Sequence, residues 1–174
     1  FWIKTEGEFK LDDARFEEAE VQALYSRAIS PYFDLQAGIR HDLEPGPSRS
    51  HAVLGIQGLA PYWFEVDAAL FLSDDGDLSA RIEAEYELNI TQRLILQPRA
   101  EFNFAAQDVP ELDVGSGLGS IEAGLRLRYE IQREFAPYVG ISWKRAFGDT
   151  ADFRRSAGDK AGNTSFVAGI RFWF

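Results

Sequence analysis

Three observations predict an all-β fold, a transmembrane antiparallel up-and-down β-barrel of about ten strands. Apolar residues recur at every second position along nearly the whole chain, the alternating segments are long, and the links between them are by turns short and long. The alternation is plainest in LSARIEAEYELN at 78–89. There Ala80, Ile82, Ala84, Tyr86 and Leu88 point one way, and Arg81, Glu83, Glu85, Glu87 and Asn89 point the other. It also closes the chain, on Phe166, Ala168, Ile170, Phe172 and Phe174. A strand sets successive side chains on opposite faces, so such a sheet has one apolar and one heavily charged surface. In a sandwich in water the charged face meets solvent; in a membrane barrel it lines the bore.

The expected strands are 1–10, 18–30, 32–42, 51–60, 62–73, 78–89, 92–105, 118–131, 135–147 and 163–174. A tilted membrane strand needs ~9–11 residues and most of these are that long, whereas strands of soluble domains are nearer ~5–6. The short links are Ser30-Pro31, Ala60-Pro61, Ile90-Thr91 and Gln132–Glu134. The longer ones, which alternate with them, are Asp12–Glu17, Glu44–Ser50, Asp74–Asp77, Ala106–Gly117 and Gly148–Gly162. That asymmetry matches short periplasmic turns and long outer loops, puts both termini on the periplasmic side and requires an even number of strands. The long links are polar and rich in Gly, Asp, Ser and Pro, as solvent exposure demands. Residues 1–174 read as a single barrel domain.

Composition narrows the class. The chain has 174 residues and a formal net charge of -10. No stretch approaches the ~20 apolar residues of a membrane helix, which leaves a barrel open. The acidic balance argues against a nucleic-acid partner, because phosphate must be neutralised by Lys and Arg. Cysteine is absent, so there is no disulfide, no thiolate metal site and no cysteine nucleophile; methionine is absent too. The chain opens in a strand-like segment with neither initiator methionine nor signal peptide, as expected of a processed or trimmed product.

The outward sets are Phe64, Val66, Ala68, Leu70 and Leu72; Leu94, Leu96, Pro98, Ala100, Phe102 and Phe104; Ile121, Ala123, Leu125, Leu127 and Tyr129; and Val139, Ile141 and Trp143. Tyr62, Trp63, Phe64 and Tyr138 near short turns, with Phe172, Trp173 and Phe174 at the C-terminus, fit an interfacial aromatic girdle. Taken alone they are more commonly the core aromatics of a sandwich, and the loop asymmetry and strand length reverse that preference. The inward sets begin with Lys4, Glu6, Glu8 and Lys10, then Asp34, Gln36, Arg40 and Asp42, then Glu65 and Asp67. Arg81, Glu83, Glu85 and Glu87 follow, then Arg93, Gln97, Arg99, Glu101 and Asn103, then Glu122, Arg126, Arg128 and Glu130, with Lys144 and Arg171 last. Isolated buried charges are prohibitive, so a paired ladder network is expected, either as structural fill or as a narrow polar path for ions. Residues 18–30 have no clean face, and a bulge near Tyr25 would account for that.

Few residues offer chemistry. The two histidines, His41 and His51, flank the loop 42–50 with opposite parity, His41 outward and His51 inward. Two imidazoles make a metal site only if Asp42 or Glu44 joins them, and soft Cu(I) wants Cys or Met, which the chain lacks. Asp74-Asp75-Gly76-Asp77 lacks the closing glutamate of a calcium loop. There is no GxSxG elbow, Ser26, Ser48, Ser50 and Ser165 show no His-acid arrangement, with Ser50 beside His51 the one formal opening for a barrel enzyme, and GSGLG at 115–119 follows no strand-then-helix context. No catalytic residue is assigned and the chain is read as a non-enzyme.

Four segments resemble the copper resistance protein B family (CopB/PcoB). They are LYSRAISPYFDLQAGIRHD at 24–42, GIQGLAPYWFEVDAALFLSDDGDLSARIEAEYELNITQRLILQPRAEFN at 55–103, LRYEIQREFAPYVGISWKRAFGDTADFRR at 127–155 and FVAGIRFWF at 166–174. The resemblance implies an outer-membrane barrel of Gram-negative bacteria that works in copper tolerance beside a periplasmic multicopper oxidase. It also implies a Met- and His-rich copper-binding segment before the barrel, from which no residue carries over to this sequence. Copper ligands within the barrel would then be His41, His51, Glu65, Asp67, Glu83, Glu85 and Glu87. The implied role is binding or exporting copper from the periplasm, as a monomer among outer-membrane lipid and lipopolysaccharide. Two other readings stand beside it: a non-conducting scaffold that displays the metal-binding segment or docks the oxidase, and a soluble acidic β-sandwich binding module.

Overall fold

The computed structural model describes residues 2–10, 15–44, 48–132, 135–156, 158 and 160–172, with side chains described for 20–43, 48–132, 135–156, 158 and 160–168. Its strands are β1 (Trp2–Lys10), β2 (Arg15–Ala28), β3 (Phe33–Glu44), β4 (Arg49–Ala60), β5 (Phe64–Ser73), β6 (Leu78–Glu85), β7 (Leu88–Asn89), β8 (Leu94–Ala105), β9 (Gly117–Tyr129), β10 (Phe135–Ala146) and β11 (Gly162–Phe172). One helix, α1 (Gly148–Ser156), lies between β10 and β11. The strands form one up-and-down sheet in the order β1-β2-β3-β4-β5-β6-β8-β9-β10-β11, with β7 paired to β8. Neighbours are antiparallel throughout, as in β4 with β5 and β8 with β9. The strand expected at 78–89 comes in two pieces. Between them the Tyr86 N–H still bonds to Pro98 O at 3.0 Å, and the Tyr86 ring packs on Phe64 with centroids 4.9 Å apart.

Side chains sort inside out relative to a protein folded around an apolar core. Leu54, Leu70 and Val139 are 51%, 49% and 60% exposed, while Gln36, Arg128 and Glu101 are 2%, 3% and 6% exposed. The apolar interior is small, built around Leu24, Val53 and Phe71 with Ala69 against them. Curvature encloses that interior. Arg81 on β6 reaches Glu20 on β2 at 3.2 Å, although four strand spacings in a flat sheet would set them ~19 Å apart. The sheet therefore rolls its charged face inward. Most strands carry the length expected of a span, with 14 residues in β2, 12 in β3 and 13 in β9.

Two of the tight turns use one device. In the turn 29–32 the Ser30 hydroxyl accepts from the Tyr32 and Phe33 N–H groups at 3.2 and 3.0 Å, and Ile29 N bonds to Phe33 O. In the turn 90–93 Thr91 does the same for Arg93 and Leu94 at 3.3 and 2.9 Å, and Ile90 N bonds to Leu94 O. Such Ser/Thr turns satisfy backbone donors that a hairpin leaves over. The third, at Pro61–Trp63, holds Tyr62 and Trp63 at φ 66° and 65°, a left-handed conformation unusual for bulky residues.

Several expectations change. The irregularity of β2 falls between Ala19 and Glu20 rather than near Tyr25, so Glu20, Gln22 and Leu24 are buried while Val21 and Tyr25 are exposed. The strand looks mixed in sequence because Leu24 faces in and Arg27 faces out. Arg93 lies exposed in a turn, not inside, because β8 starts at Leu94. Tyr138 belongs to no outer girdle: it pairs with Arg128 in register and lies beneath the Arg126 guanidinium, 5.6 Å from Cζ to ring centroid. The strict alternation of link lengths weakens, because β3 and β4 extend to Glu44 and Arg49. The links 45–48 and 74–77 are then no longer than 29–32, and 106–116 and 147–161 stand out as the long ones. The first link, the turn around Gln132–Glu134, the inward set Lys4 to Lys10, Arg171 and the aromatic side chains at 172–174 lie partly or wholly outside the described residues.

The segment Gly148–Ser156, expected as loop, is α1. Thr150 and Ala151 are its buried residues, and Thr150 Oγ1 accepts from Gly115 N at 2.8 Å. This pins the two long links to each other. Thr150→Val leaves the Gly115 N–H without that acceptor, so it is expected to lower local stability by ~1–3 kcal/mol. Amide exchange at Gly115 and faster proteolysis within 106–116 would read it out; unchanged protection would mean another group supports that loop.

Candidate functional site

The enclosed face is where chemistry can occur, and its residues arrive by register. β2, β3 and β6 aim charges at one point. Glu20 receives Arg81 Nη1 and Nη2 at 3.2 Å each, Arg40 Nη2 at 2.8 Å and Gln22 Nε2 at 2.6 Å. Both guanidiniums also lie over the Phe71 ring, Arg40 Cζ 4.8 Å and Arg81 Cζ 5.6 Å from its centroid. The negative ring face attracts each cation, and Glu20 offsets the repulsion between them. His51 meets the same ring edge-on at 6.4 Å. Arg81 continues to Glu101 at 3.5 Å and Asn103 at 3.3 Å. This cluster ties the β2 side of the rolled sheet to β6 and β8.

Below it lies a row of carboxylates. Register sets Asp67 opposite Glu83, Glu83 opposite Glu101, Glu101 opposite Glu122, and Glu122 opposite Lys144. Like charges placed directly across a ladder repel. Arg99, one row away, relieves them by pairing with Glu83 at 2.8 Å and with Glu101 at 2.6 Å. The next row puts Glu65 opposite Glu85 and Glu85 opposite Arg99. Gln97 donates to Glu85 at 2.7 Å and to Glu87 at 2.9 Å, and Arg128 pairs with Glu87 at 2.9 Å and Glu130 at 3.3 Å. On the far wall the Ser142 hydroxyl donates to Glu122 at 2.6 Å. The expected ladder network is present and is dense.

The candidate copper ligands do not gather. His41 points outward, exposed, with Nδ1 3.1 Å from Ser50 Oγ. His51 points inward, with Nδ1 3.7 Å from Asp42 Oδ2. Adjacent-strand register pairs His41 with Ser50 and Arg40 with His51, so the two imidazoles occupy opposite faces and share no ion. Asp42 is also held by Arg40, whose Nη2 donates to Oδ2 at 2.9 Å. The side chain of Glu44 lies outside the described residues. Glu83 sits opposite Asp67 and Glu85 opposite Glu65 in two neighbouring rows, while Arg99 holds Glu83, Gln97 holds Glu85, and Gln97 and Arg128 hold Glu87. Among the described residues no group of three or more His, Asp or Glu side chains is arranged to hold a metal ion. Ser50 engages His41 rather than the adjacent His51.

Sequence reasoning misses three hubs. Glu20 lies in the strand with no clean face, and Phe71, an aromatic at an inward position, belongs to none of the expected inward or outward sets. Arg49 was assigned nothing, yet it pairs with Asp77 and Glu111 at 2.9 Å each and with Asp75 at 3.5 Å. Gln107 reinforces Asp77 at 2.9 Å. Arg49 thus joins the links 74–77 and 106–116 at the long-loop end. Its signal was a lone cation entering a strand beside acid-rich loops.

An up-and-down sheet with an apolar outside and a charge-paired inside defines a porin-like β fold. The NanC porin in its rhombohedral crystal form matches it with a TM-score of 0.63, over 90% of this chain and 79% of that chain at 11% identity, a likeness of fold alone. The model of the family described as copper resistance protein B precursor (CopB) matches residues 1–174. Copper resistance protein B of Escherichia coli is 46% identical over 173 residues, 99% of this chain and 58% of that protein. The copper resistance protein B homolog of Pseudomonas syringae pv. tomato (strain ATCC BAA-871 / DC3000) is 45% identical over 172 residues, with the same coverage. The chain belongs to the copper resistance protein B family, and it spans 58% of the length of these relatives.

Proposed function

We propose that this chain is the membrane-spanning barrel of a bacterial outer-membrane protein of copper resistance, with the short turns and both ends of the strand path toward the periplasm. The inside-out sorting carries this reading. A soluble sandwich needs a second sheet to cover Leu54, Leu70 and Val139, and the described strands form one sheet. Acyl chains are the natural cover for such a wall, with lipopolysaccharide in the outer leaflet. The chain acts without catalysis and as a monomer, and a periplasmic multicopper oxidase is its expected partner. Copper is cargo or ligand of the whole protein rather than an ion resident in this bore.

Within that role the ion pairs that fill the described interior favour a scaffold closed to free ions over an open channel. Arg40, Arg81 and Arg99 stand in that interior as fixed cations, and the bridge from Glu20 to Arg81 crosses it. A second reading, passage of copper, draws on the acidic row Asp67, Glu83, Glu101 and Glu122. Copper entry into liposomes that contain the barrel decides between them. The expected rate is that of protein-free vesicles; entry several times faster would establish passage and overturn the closed bore.

A further inference from the structure

The outward strand face is almost free of charge. Among its described side chains the charged or imidazole groups are Arg27 near the short-turn end of β2, His41 near the far end of β3, and Arg145 near the long-loop end of β10. No described carboxylate pairs with Arg145; its guanidinium lies over the Phe147 ring, 5.8 Å from Cζ to centroid. Lys160, also exposed, is brought to the same rim by the bond from Ala146 N to Ala161 O at 2.7 Å. Two acids of the neighbouring α1, Asp149 and Asp152, are exposed, and Asp152 is occupied by Arg155 at 2.7 Å.

A groove lies next to that cation on the same wall. A cavity of about 190 Å³ is lined by Ala123, Leu125, Ile141, Trp143 and Thr164, over the backbone of Gly124 and Ser142. Register makes the cause plain: Trp143 is flanked by Ala123 on β9 and Thr164 on β11, two short side chains beside a large one. Arg145 and Trp143 are two positions apart on one face of β10, so ~7 Å separates the charged rim from the apolar groove.

We propose that this wall binds a phosphate-bearing glycolipid of the outer leaflet, its phosphate on Arg145 and one acyl chain in the groove beside Trp143. The planar guanidinium suits phosphate oxygens, and a cation that no described carboxylate holds, at a headgroup boundary, gains most from an anion there. Charge and groove each point to half of the same amphiphile. The inference rests on the outer-membrane reading above.

The test is native mass spectrometry of the full chain, folded in detergent, titrated with diphosphorylated lipid A, its dephosphorylated form, phosphatidylglycerol and inorganic phosphate. Arg145→Gln and the groove-filling Ala123→Phe are each expected to weaken lipid A binding about tenfold. Arg27→Gln, at the opposite rim, should leave it unchanged. Because Ala123→Phe could disturb folding, circular dichroism and heat-shifted gel migration are compared first, and Thr164→Leu is the second groove variant. Equal binding of the dephosphorylated lipid, equal binding of phosphatidylglycerol, or full affinity in Arg145→Gln would overturn the proposal. Inorganic phosphate binding as tightly as lipid A, with no effect of the groove variants, would make this a free-phosphate site and also overturn it. A chain that folds in water without detergent instead defeats the membrane reading itself, and that result is visible before any lipid is added.

Discussion

Arg81→Ala is expected to destabilise the folded sheet by ~3–5 kcal/mol, the usual cost of removing one partner from a buried charge network. The Arg81 side chain is 17% exposed and serves Glu20 with two donors, Glu101 with a third contact and Phe71 with its guanidinium face. Its loss leaves Glu20, 9% exposed at the side chain, with Arg40 as the remaining strong cation. The urea midpoint for unfolding from lipid vesicles should fall, with the slope unchanged. Arg81→Lys should recover little, since an ammonium cannot span both carboxylate oxygens and also stack on the ring. Pairing Arg81→Ala with Glu20→Gln should return part of the loss, because the stranded anion goes with its partner. Removing this arm, which reaches from β6 to β2, should also raise ion conductance in planar bilayers. An unmoved midpoint would show that the bridge contributes nothing.

Leu54→Arg carries the second large effect, and its sign of environment is unambiguous. Leu54 sits mid-strand in β4, opposite Leu70 on β5, and is 51% exposed. In water an exposed leucine exchanged for arginine changes stability by less than ~0.5 kcal/mol. Facing the middle of a bilayer the same exchange costs ~2–4 kcal/mol. Folding yield and unfolding midpoint in vesicles therefore discriminate, with Ala52→Arg, nearer the rim, expected to cost less. Equal tolerance at both positions would remove acyl chains from the picture.

The strands and their facing are legible in the sequence because a period of two is imposed by strand geometry alone. Glu83 inside and Ile82 outside follow from parity, as do the opposite faces of His41 and His51. Tight turns are legible from Ser30-Pro31 and Thr91, whose hydroxyls make local bonds. Bulge positions are not, since the shifts at Ala19/Glu20 and Asn103/Phe104 depend on the partner strand. Helix α1 hides because GDTADFRRS buries only Thr150 and Ala151 and so shows no apolar stripe; its signal is Asp149 in the first turn and Arg154 and Arg155 in the last. The site is legible as composition but not as pairing. That Arg81 answers Glu20, sixty-one residues earlier in the chain, depends on how tightly the sheet rolls, and alternation carries no record of curvature.

The carboxylate rows have a consequence for assembly. A hairpin that slipped by a single residue would turn Glu83 and Glu85 to the apolar outer face of the sheet and Ile82 toward their former partners, an exchange of every side chain at once. Near-miss pairings are thus penalised on both surfaces together, so the charges that fill the centre also proofread the alignment at which neighbouring segments zip.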